Sequence, residues 1–120
     1  METNIIINTV FSALHHWGTI PEDHSQIYLK SPHRHTFHIQ LKIPVRHDDR
    51  DIEFIELKRK VDKYLNTRFV KEGWITPDLG AMSCEMFCKI LLVEFDAVYC
   101  KVMEDGENGA EVISDIRGLR

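Results

Sequence analysis

Two segments of alternating polarity constrain the fold of this chain most. In residues 33–45, odd positions are apolar or histidine and even positions from 34 to 42 are polar. In residues 5–15, odd positions are apolar or histidine except Thr9, and the even face of this segment, with Asn4, Asn8 and Ser12, is more polar. A period of two is typical of a β-strand with one face turned toward a core. We therefore predict two antiparallel strands, 3–15 and 33–45, joined by a loop over 16–32.

The rest of the chain contains patterns for two helices and two more strands. They predict a helix over 53–65, a helix capped by Ser83 and ending near 95, a strand over 97–104, and a strand near 110–115 after the turn Glu107-Asn108-Gly109. The resulting order is β-β-α-α-β-β. It predicts one α+β domain over residues 1–120, with a four-stranded antiparallel sheet and both helices on one face.

All seven histidines lie in the first 47 residues. His15 ends the first predicted strand, and His33 and His35 begin the second on the same face. Antiparallel pairing brings the three Cβ atoms to within about 5 Å across the strands. Three imidazoles with a fourth position open are typical of a catalytic zinc site, although a core-facing histidine can simply be hydrogen-bonded. The ligands alone leave iron and copper open, and a histidine-metal oxygenase on another scaffold would hold iron.

Charge and composition exclude several classes of protein. The chain has 19 acidic residues and 15 Lys plus Arg, a net charge of −4, which argues against nucleic-acid binding. No apolar run approaches the ~20 residues of a membrane span, and the first residues lack a secretion signal. Three cysteines do not predict a disulfide framework, so we expect a cytoplasmic protein. A chain this short buries only about two-thirds of its surface, so we also expect an oligomer.

Six segments, in order over residues 11–104, resemble motifs of the 6-pyruvoyl-tetrahydropterin synthase and 6-carboxytetrahydropterin synthase family. They are Phe11-Ser12-Ala13-Leu14-His15 (F-x-A-x-H), Pro21-Glu22-Asp23-His24 in the loop, His33-Arg34-His35-Thr36-Phe37 (H-G-H-[ST]-[FY], with Arg34 for Gly), Glu53-Phe54-Ile55-Glu56-Leu57-Lys58 (D-F-x-x-L-K), Ser83-Cys84-Glu85 (T-[SA]-E) and Val102-Met103-Glu104 (V-x-E).

The resemblance implies the tunnelling fold, in which sheets of several subunits join into a barrel with active sites at the interfaces. It therefore implies a homo-oligomer, a trimer, tetramer or hexamer. It also implies zinc on His15, His33 and His35, with Glu104 anchoring a pterin ring and Glu85 as a second substrate-binding residue. The implied activity is that of a lyase on dihydroneopterin triphosphate or a related pterin, on a biopterin-type or queuosine-type route.

Two groups of the family are missing from this chain. The synthases use a loop cysteine as general base and an aspartate-paired histidine between the helices, but no cysteine precedes Cys84 and no histidine follows His47. Glu22, Asp23 and His24 in the loop are the expected substitute acid–base groups. The alternative is an altered or inactive family member that binds zinc and a pterin- or purine-like ligand without the synthase reaction.

Overall fold

A computed structural model describes residues 1–114 of the chain, and residues 115–120 lie outside the description. Four strands form one antiparallel sheet in the order β1-β2-β3-β4: β1 (Thr3–His15), β2 (His33–Val45), β3 (Tyr99–Glu104) and β4 (Asn108–Ile113). Helices α1 (Phe54–Arg68) and α2 (Cys84–Glu94) lie between β2 and β3 in sequence. The predicted α+β class and element order are confirmed. Over the described residues, no helix has the length and apolarity needed to cross a bilayer.

The β1–β2 pair has the bounds that the alternation predicts, and its antiparallel pairing places His15 beside His33 and His35 as expected. His15 lies opposite His33, Ala13 opposite His35, and Phe11 opposite Phe37. Phe11, Ala13 and Phe37 are buried, so the odd-numbered face of the pair points to the core. The histidines therefore continue a buried apolar face at its open end.

Both helices begin at acceptor side chains. The Glu53 carboxylate accepts from the backbone N–H groups of Ile55 and Glu56, and the Ser83 hydroxyl accepts from that of Met86. Such caps satisfy donors that have no partner inside the helix. The first helix runs three residues beyond its predicted end at 65, while the second agrees with its prediction to within one residue.

The hairpin between β3 and β4 corrects three predictions. Its turn lies at Asp105 and Gly106, both with positive φ, and not at Asn108-Gly109. Gly109 instead lies in β4, where an added Cβ would stand 1.9 Å from the carbonyl oxygen of Val102. Close approach of the two strands thus explains the glycine. The last strand accordingly begins at Asn108 and ends at Ile113, with predicted position 115 outside the described residues. The third strand begins at Tyr99, two residues later than predicted.

The helices cover one face of the sheet. Buried residues of both helices and of the odd-numbered faces of β1 and β2 form one apolar cluster, including Phe37, Leu65, Phe87 and Leu91. Burial of this kind stabilises a fold by roughly 25 cal/mol per Å² of apolar surface. The opposite face carries mostly polar side chains, with Ile6, Val10 and Ile113 exposed among them.

Two long connections fold toward the end of the sheet where the histidines lie. The first contains a short 3₁₀ helix, Ile27–Lys30. In the second, Leu14 of β1 donates its N–H to the Pro77 carbonyl and accepts from the N–H of Leu79. These bonds place the segment before α2 beside the last residues of β1.

Candidate metal centre

His15, His33 and His35 form the cluster that the sequence predicts. Each offers one ring nitrogen, and these three atoms lie within 4.8 Å of one another. The ring centroid of His15 is 4.6 Å from that of His33 and 5.4 Å from that of His35. His15 is only 7% exposed, whereas the other two are partly exposed. This set can hold a metal ion.

The Nδ1 atom of every ring in the cluster is engaged by a group that only accepts hydrogen bonds. Its partner is the Met82 carbonyl for His15 at 3.1 Å, the Ser31 carbonyl for His33 at 2.9 Å, and the Asp105 carboxylate for His35 at 2.7 Å. In neutral imidazole one nitrogen donates and the other accepts. In the neutral form of each ring, Nδ1 therefore carries the proton and Nε2 presents a lone pair.

This arrangement has the chemistry of a prepared ligand set. Metal-binding histidines almost always donate their second ring N–H to a carbonyl or carboxylate, which fixes the tautomer and orients the ring. Burial, the largest of several influences, lowers the pKa of His15 and so favours its neutral, metal-binding form. The His15 Nε2 atom is buried without a hydrogen-bond partner, which fits a role as a metal ligand.

Asp105 supports the cluster from the β3–β4 turn. One carboxylate oxygen accepts from His35 and the other accepts from the backbone N–H of Thr36 at 3.0 Å. The hydrogen bond from His35 and then that from Thr36 hold the pKa of Asp105 below its ordinary value. The residue is therefore an ionised acceptor that ties the turn to β2.

Glu104 lies between the histidines and α2. One of its carboxylate oxygens is 3.4 Å from His15 Nε2 and the other is 3.1 Å from His35 Nε2. The Cys84 thiol approaches the first of these oxygens at 3.7 Å. Burial and then the Glu104 charge raise the pKa of Cys84 to about 12, so the group is a neutral thiol near pH 7.

A cavity of about 340 Å³ adjoins the cluster. His15 and His33 line it together with Trp17 and Leu29 of the first long connection. Its other walls come from the segment before α2, from the start of α2 and from the β3–β4 hairpin, including Glu85 and Glu104. The two residues expected to bind substrate thus lie on one cavity with two of the expected metal ligands.

The three expected acid–base residues are placed differently. Glu22 pairs with Lys30 at 2.9 Å, Asp23 is exposed, and the His24 ring packs on Trp17 with centroids 5.1 Å apart. None of the three lines the cavity. The structure therefore groups the metal and substrate candidates and leaves the acid–base candidates outside that group.

Four groups at the site escaped sequence reasoning. Two lie in the cavity wall, the His16 imidazole and the Cys84 thiol, and two hold the ligands, the Met82 carbonyl and the Asp105 carboxylate. Of these four groups, only Asp105 could have been found from the sequence. It follows Glu104 directly, and Asp105-Gly106 is a dipeptide that strongly favours a hairpin turn. Neither a known family model nor a curated protein matches the chain.

Proposed function

We propose that this protein is a zinc-dependent pterin-processing enzyme with the tunnelling fold, related to the 6-pyruvoyl- and 6-carboxytetrahydropterin synthases. Its substrate would be dihydroneopterin triphosphate or a related reduced pterin. The observation that carries the proposal is the convergence of three imidazole nitrogens, one from each histidine, beside a cavity lined by two carboxylates and an indole ring. The six ordered segments that resemble the family support it independently.

The ligand chemistry favours zinc among the metals. Neutral imidazole suits Zn²⁺ far better than Mg²⁺ or Ca²⁺, and three histidines with an open position are a common catalytic zinc set. When bound, zinc would polarise a substrate oxygen and acidify a neighbouring C–H or O–H group. His15, His33 and His35 would hold it through Nε2.

The cavity walls fit a flat, polar heterocycle. A carboxylate accepts two N–H bonds from the amino-oxo edge of a pterin in a bidentate fork, and Glu104 and Glu85 are the carboxylates that line the cavity. Trp17, 40% exposed, offers a ring face on which such a heterocycle can stack. These groups would bind and orient the substrate.

Proton transfer falls to His16 in this proposal. Imidazole is the side chain that most often moves protons at neutral pH, and His16 lines the cavity with its Nδ1 buried and without a hydrogen-bond partner. His16 lies near the Asp78 carboxylate of the neighbouring segment, and it is the smallest of the influences that lower the Asp78 pKa. Cys84 is a weaker candidate for the base because its thiol keeps its proton near pH 7.

The test is an incubation of purified, zinc-loaded protein with dihydroneopterin triphosphate. We expect release of triphosphate and formation of a modified pterin, and we expect the His33→Ala variant to form none. A His16→Gln variant should retain zinc and lose about 10²–10⁴-fold in rate, the range typical of a general acid or base. Absence of product from zinc-loaded protein would refute the enzyme proposal.

A second candidate function follows from the positions of Glu22, Asp23 and His24 outside the cavity wall. It is the altered family member that binds zinc and a pterin- or purine-like ligand without the synthase reaction. The same incubation separates the two functions. Quenching of tryptophan fluorescence by the pterin, with no product, would support the binding protein.

Assembly into a homo-oligomer belongs to the same proposal. β1 is a terminal strand of the sheet, and among the described residues the loop around Pro77 pairs with it near Leu14. A terminal strand is a template for pairing with another chain. Light scattering on the purified protein tests this, and a monomer at micromolar concentration would contradict it.

A further inference from the structure

The sheet face that the helices leave uncovered carries a cavity of about 510 Å³. This cavity is larger than the one beside the histidines, and its volume is in the range of small-molecule sites. Side chains that oppose each other on paired strands share one face of a sheet. The strand register therefore sets six of the lining residues in two rows across β1, β2 and β3, Asn8-Gln40-Lys101 and Val10-His38-Met103.

The first row is polar and the second is mostly apolar. In the first, the Gln40 amide donates to the Asn8 carbonyl oxygen at 2.9 Å, and each amide keeps further hydrogen-bonding capacity. In the second, the His38 ring lies between Val10 and Met103. The cavity thus offers hydrogen bonds and a charge along one row and an apolar surface along the other.

Two lysines give the cavity a positive charge. Lys101 ends the polar row, and Lys58 of α1 lines the cavity together with Thr9 of β1. Among residues 1–114, neither lysine forms an ion pair, whereas Lys30 and Lys71 each pair with a carboxylate. Both ammonium groups are therefore available to an anion.

The acidic residues nearest in the fold do not cancel this charge inside the cavity. Asp62, one helical turn after Lys58, accepts from the Thr9 hydroxyl, and Glu111 lies opposite Lys101 on β4. Neither lines the cavity, and none of its described lining residues is acidic. In a chain of net charge −4, this is a local positive potential that attracts anions.

We propose that this cavity binds a small molecule in which a phosphate monoester is joined to a compact apolar body. A phosphate monoester carries a charge of about −1.5 to −2 near pH 7, which two ammonium groups neutralise. The amides of the polar row would bind its remaining oxygens, and the apolar body would cover Val10, Met103 and the His38 ring. The negative net charge disfavours a polyanion or an anionic membrane, because these need a broad basic surface.

This inference goes beyond the proposed function. The rows have even numbers on β1 and β2, whereas the metal-ligand candidates have odd numbers and lie on the opposite face. The two sites are therefore separated by the sheet, and binding of the phosphate needs no metal ion.

Nuclear magnetic resonance titration of the full chain tests the inference at constant ionic strength. The probes are phenyl phosphate, inorganic phosphate and phenol. We expect phenyl phosphate to bind most tightly and to shift the backbone amide signals of the two rows. Lys101→Met and Lys58→Met should each weaken its binding about tenfold, the effect of one lost charge-assisted hydrogen bond.

Two control variants locate the binding. Lys60→Met removes the same charge from an exposed position of α1 outside the cavity wall, so it should bind phenyl phosphate like the wild type. His33→Ala changes the metal cluster and should also keep wild-type affinity for phenyl phosphate. Circular dichroism confirms that each variant is folded, and the exposed Lys58 can be replaced without disturbing the core.

The inference is overturned if the wild type binds no phenyl phosphate, or if Lys101→Met and Lys58→Met bind it as tightly as Lys60→Met does. Equal affinity for inorganic phosphate and phenyl phosphate would leave a simple anion site and overturn the assignment to a monoester with an apolar body. Loss of binding in His33→Ala would place the phosphate at the metal cluster instead. None of these results depends on whether the protein converts a pterin.

Discussion

The two ends of the β1–β2 pair use histidine in opposite ways. At the histidine end (His15, His33, His35), each Nδ1 contacts a carbonyl or carboxylate oxygen, which in the neutral ring leaves Nε2 as an acceptor. At the turn end (residues 46–51), His47 Nδ1 accepts from the Asp49 N–H at 3.3 Å. Its Nε2 lies 3.8 Å from the Asp51 carboxylate. The His47 Nε2 therefore carries the proton.

This contrast shows that being a histidine is not sufficient to make a side chain a metal ligand. The hydrogen bond at one ring nitrogen decides what the other nitrogen can do. Main-chain carbonyls and a carboxylate at the histidine end produce ligands, while a main-chain N–H at the turn end produces a donor. The following experiments test this difference, from the largest expected effect to the smallest.

Removal of one imidazole should abolish metal binding at the histidine end only. His33→Ala leaves two protein imidazoles where a stable site needs three or four ligands, so bound zinc should fall from about one ion per chain to near zero. His47→Ala should keep the wild-type content. Elemental analysis of protein dialysed against zinc measures both. Undiminished zinc in His33→Ala would refute the assignment.

Added zinc should stabilise the folded chain by binding at the histidine end. A ligand that binds only the folded state at 100 times its dissociation constant adds about 2.7 kcal/mol to the free energy of unfolding. Thermal unfolding with and without zinc should therefore differ by several degrees, and a chelator should reverse the shift. His33→Ala should show no shift, and an equal shift in that variant would place the zinc elsewhere.

The two aspartates that accompany histidines should differ in their effect on metal affinity. Asp105→Asn keeps a residue that tolerates positive φ but weakens the hydrogen bond to His35, so zinc affinity should fall 10–100-fold. Asp51→Asn, beside His47 at the turn end, should leave zinc affinity unchanged. Chelator competition measures both variants. Equal affinities for the two variants would remove the contrast between the ends.

Asp78 lies in the loop that supplies the Met82 carbonyl, and we expect its carboxylate to stabilise the folded chain in a pH-dependent way. Burial raises the pKa of Asp78, but hydrogen bonds from the Gly80 N–H and Lys71 outweigh it and hold the pKa below its ordinary value. The stabilisation is therefore present above the unfolded pKa of about 3.9 and is lost as pH falls through the lower folded value.

Replacement of this carboxylate gives the smallest expected effect. Asp78→Asn should lower the free energy of unfolding by about 1.5 kcal/mol at pH 7, the lower end of the range for hydrogen bonds to a charged group. The difference from wild type should shrink between pH 6 and pH 3. Urea unfolding across that range measures it. A difference that grows toward acid pH would contradict the assigned direction.

The tertiary structure also separates two kinds of sequence inference about the site. The three metal-ligand candidates meet as expected, because period-two alternation and antiparallel pairing determine which side chains share a face and an end. The acid–base candidates Glu22, Asp23 and His24 lie in a loop of 17 residues. No periodicity or pairing rule predicts where the side chains of such a loop point. The turn placed at Asn108-Gly109 failed for a related reason: Asp105-Gly106 is an equally good turn pair, and strand contact at Gly109 decided between them.

The sequence by itself determined the order and type of the elements, the bounds and antiparallel pairing of β1 and β2, and the face on which His15, His33 and His35 lie. These properties depend on local periodicity and on pairing across a single connection. Only the tertiary structure decided which groups hold the histidines and what faces them. Met82 is 67 residues from His15 and Asp105 is 70 residues from His35. Contacts at such separations depend on how whole elements pack, and no pattern within either segment contains that information.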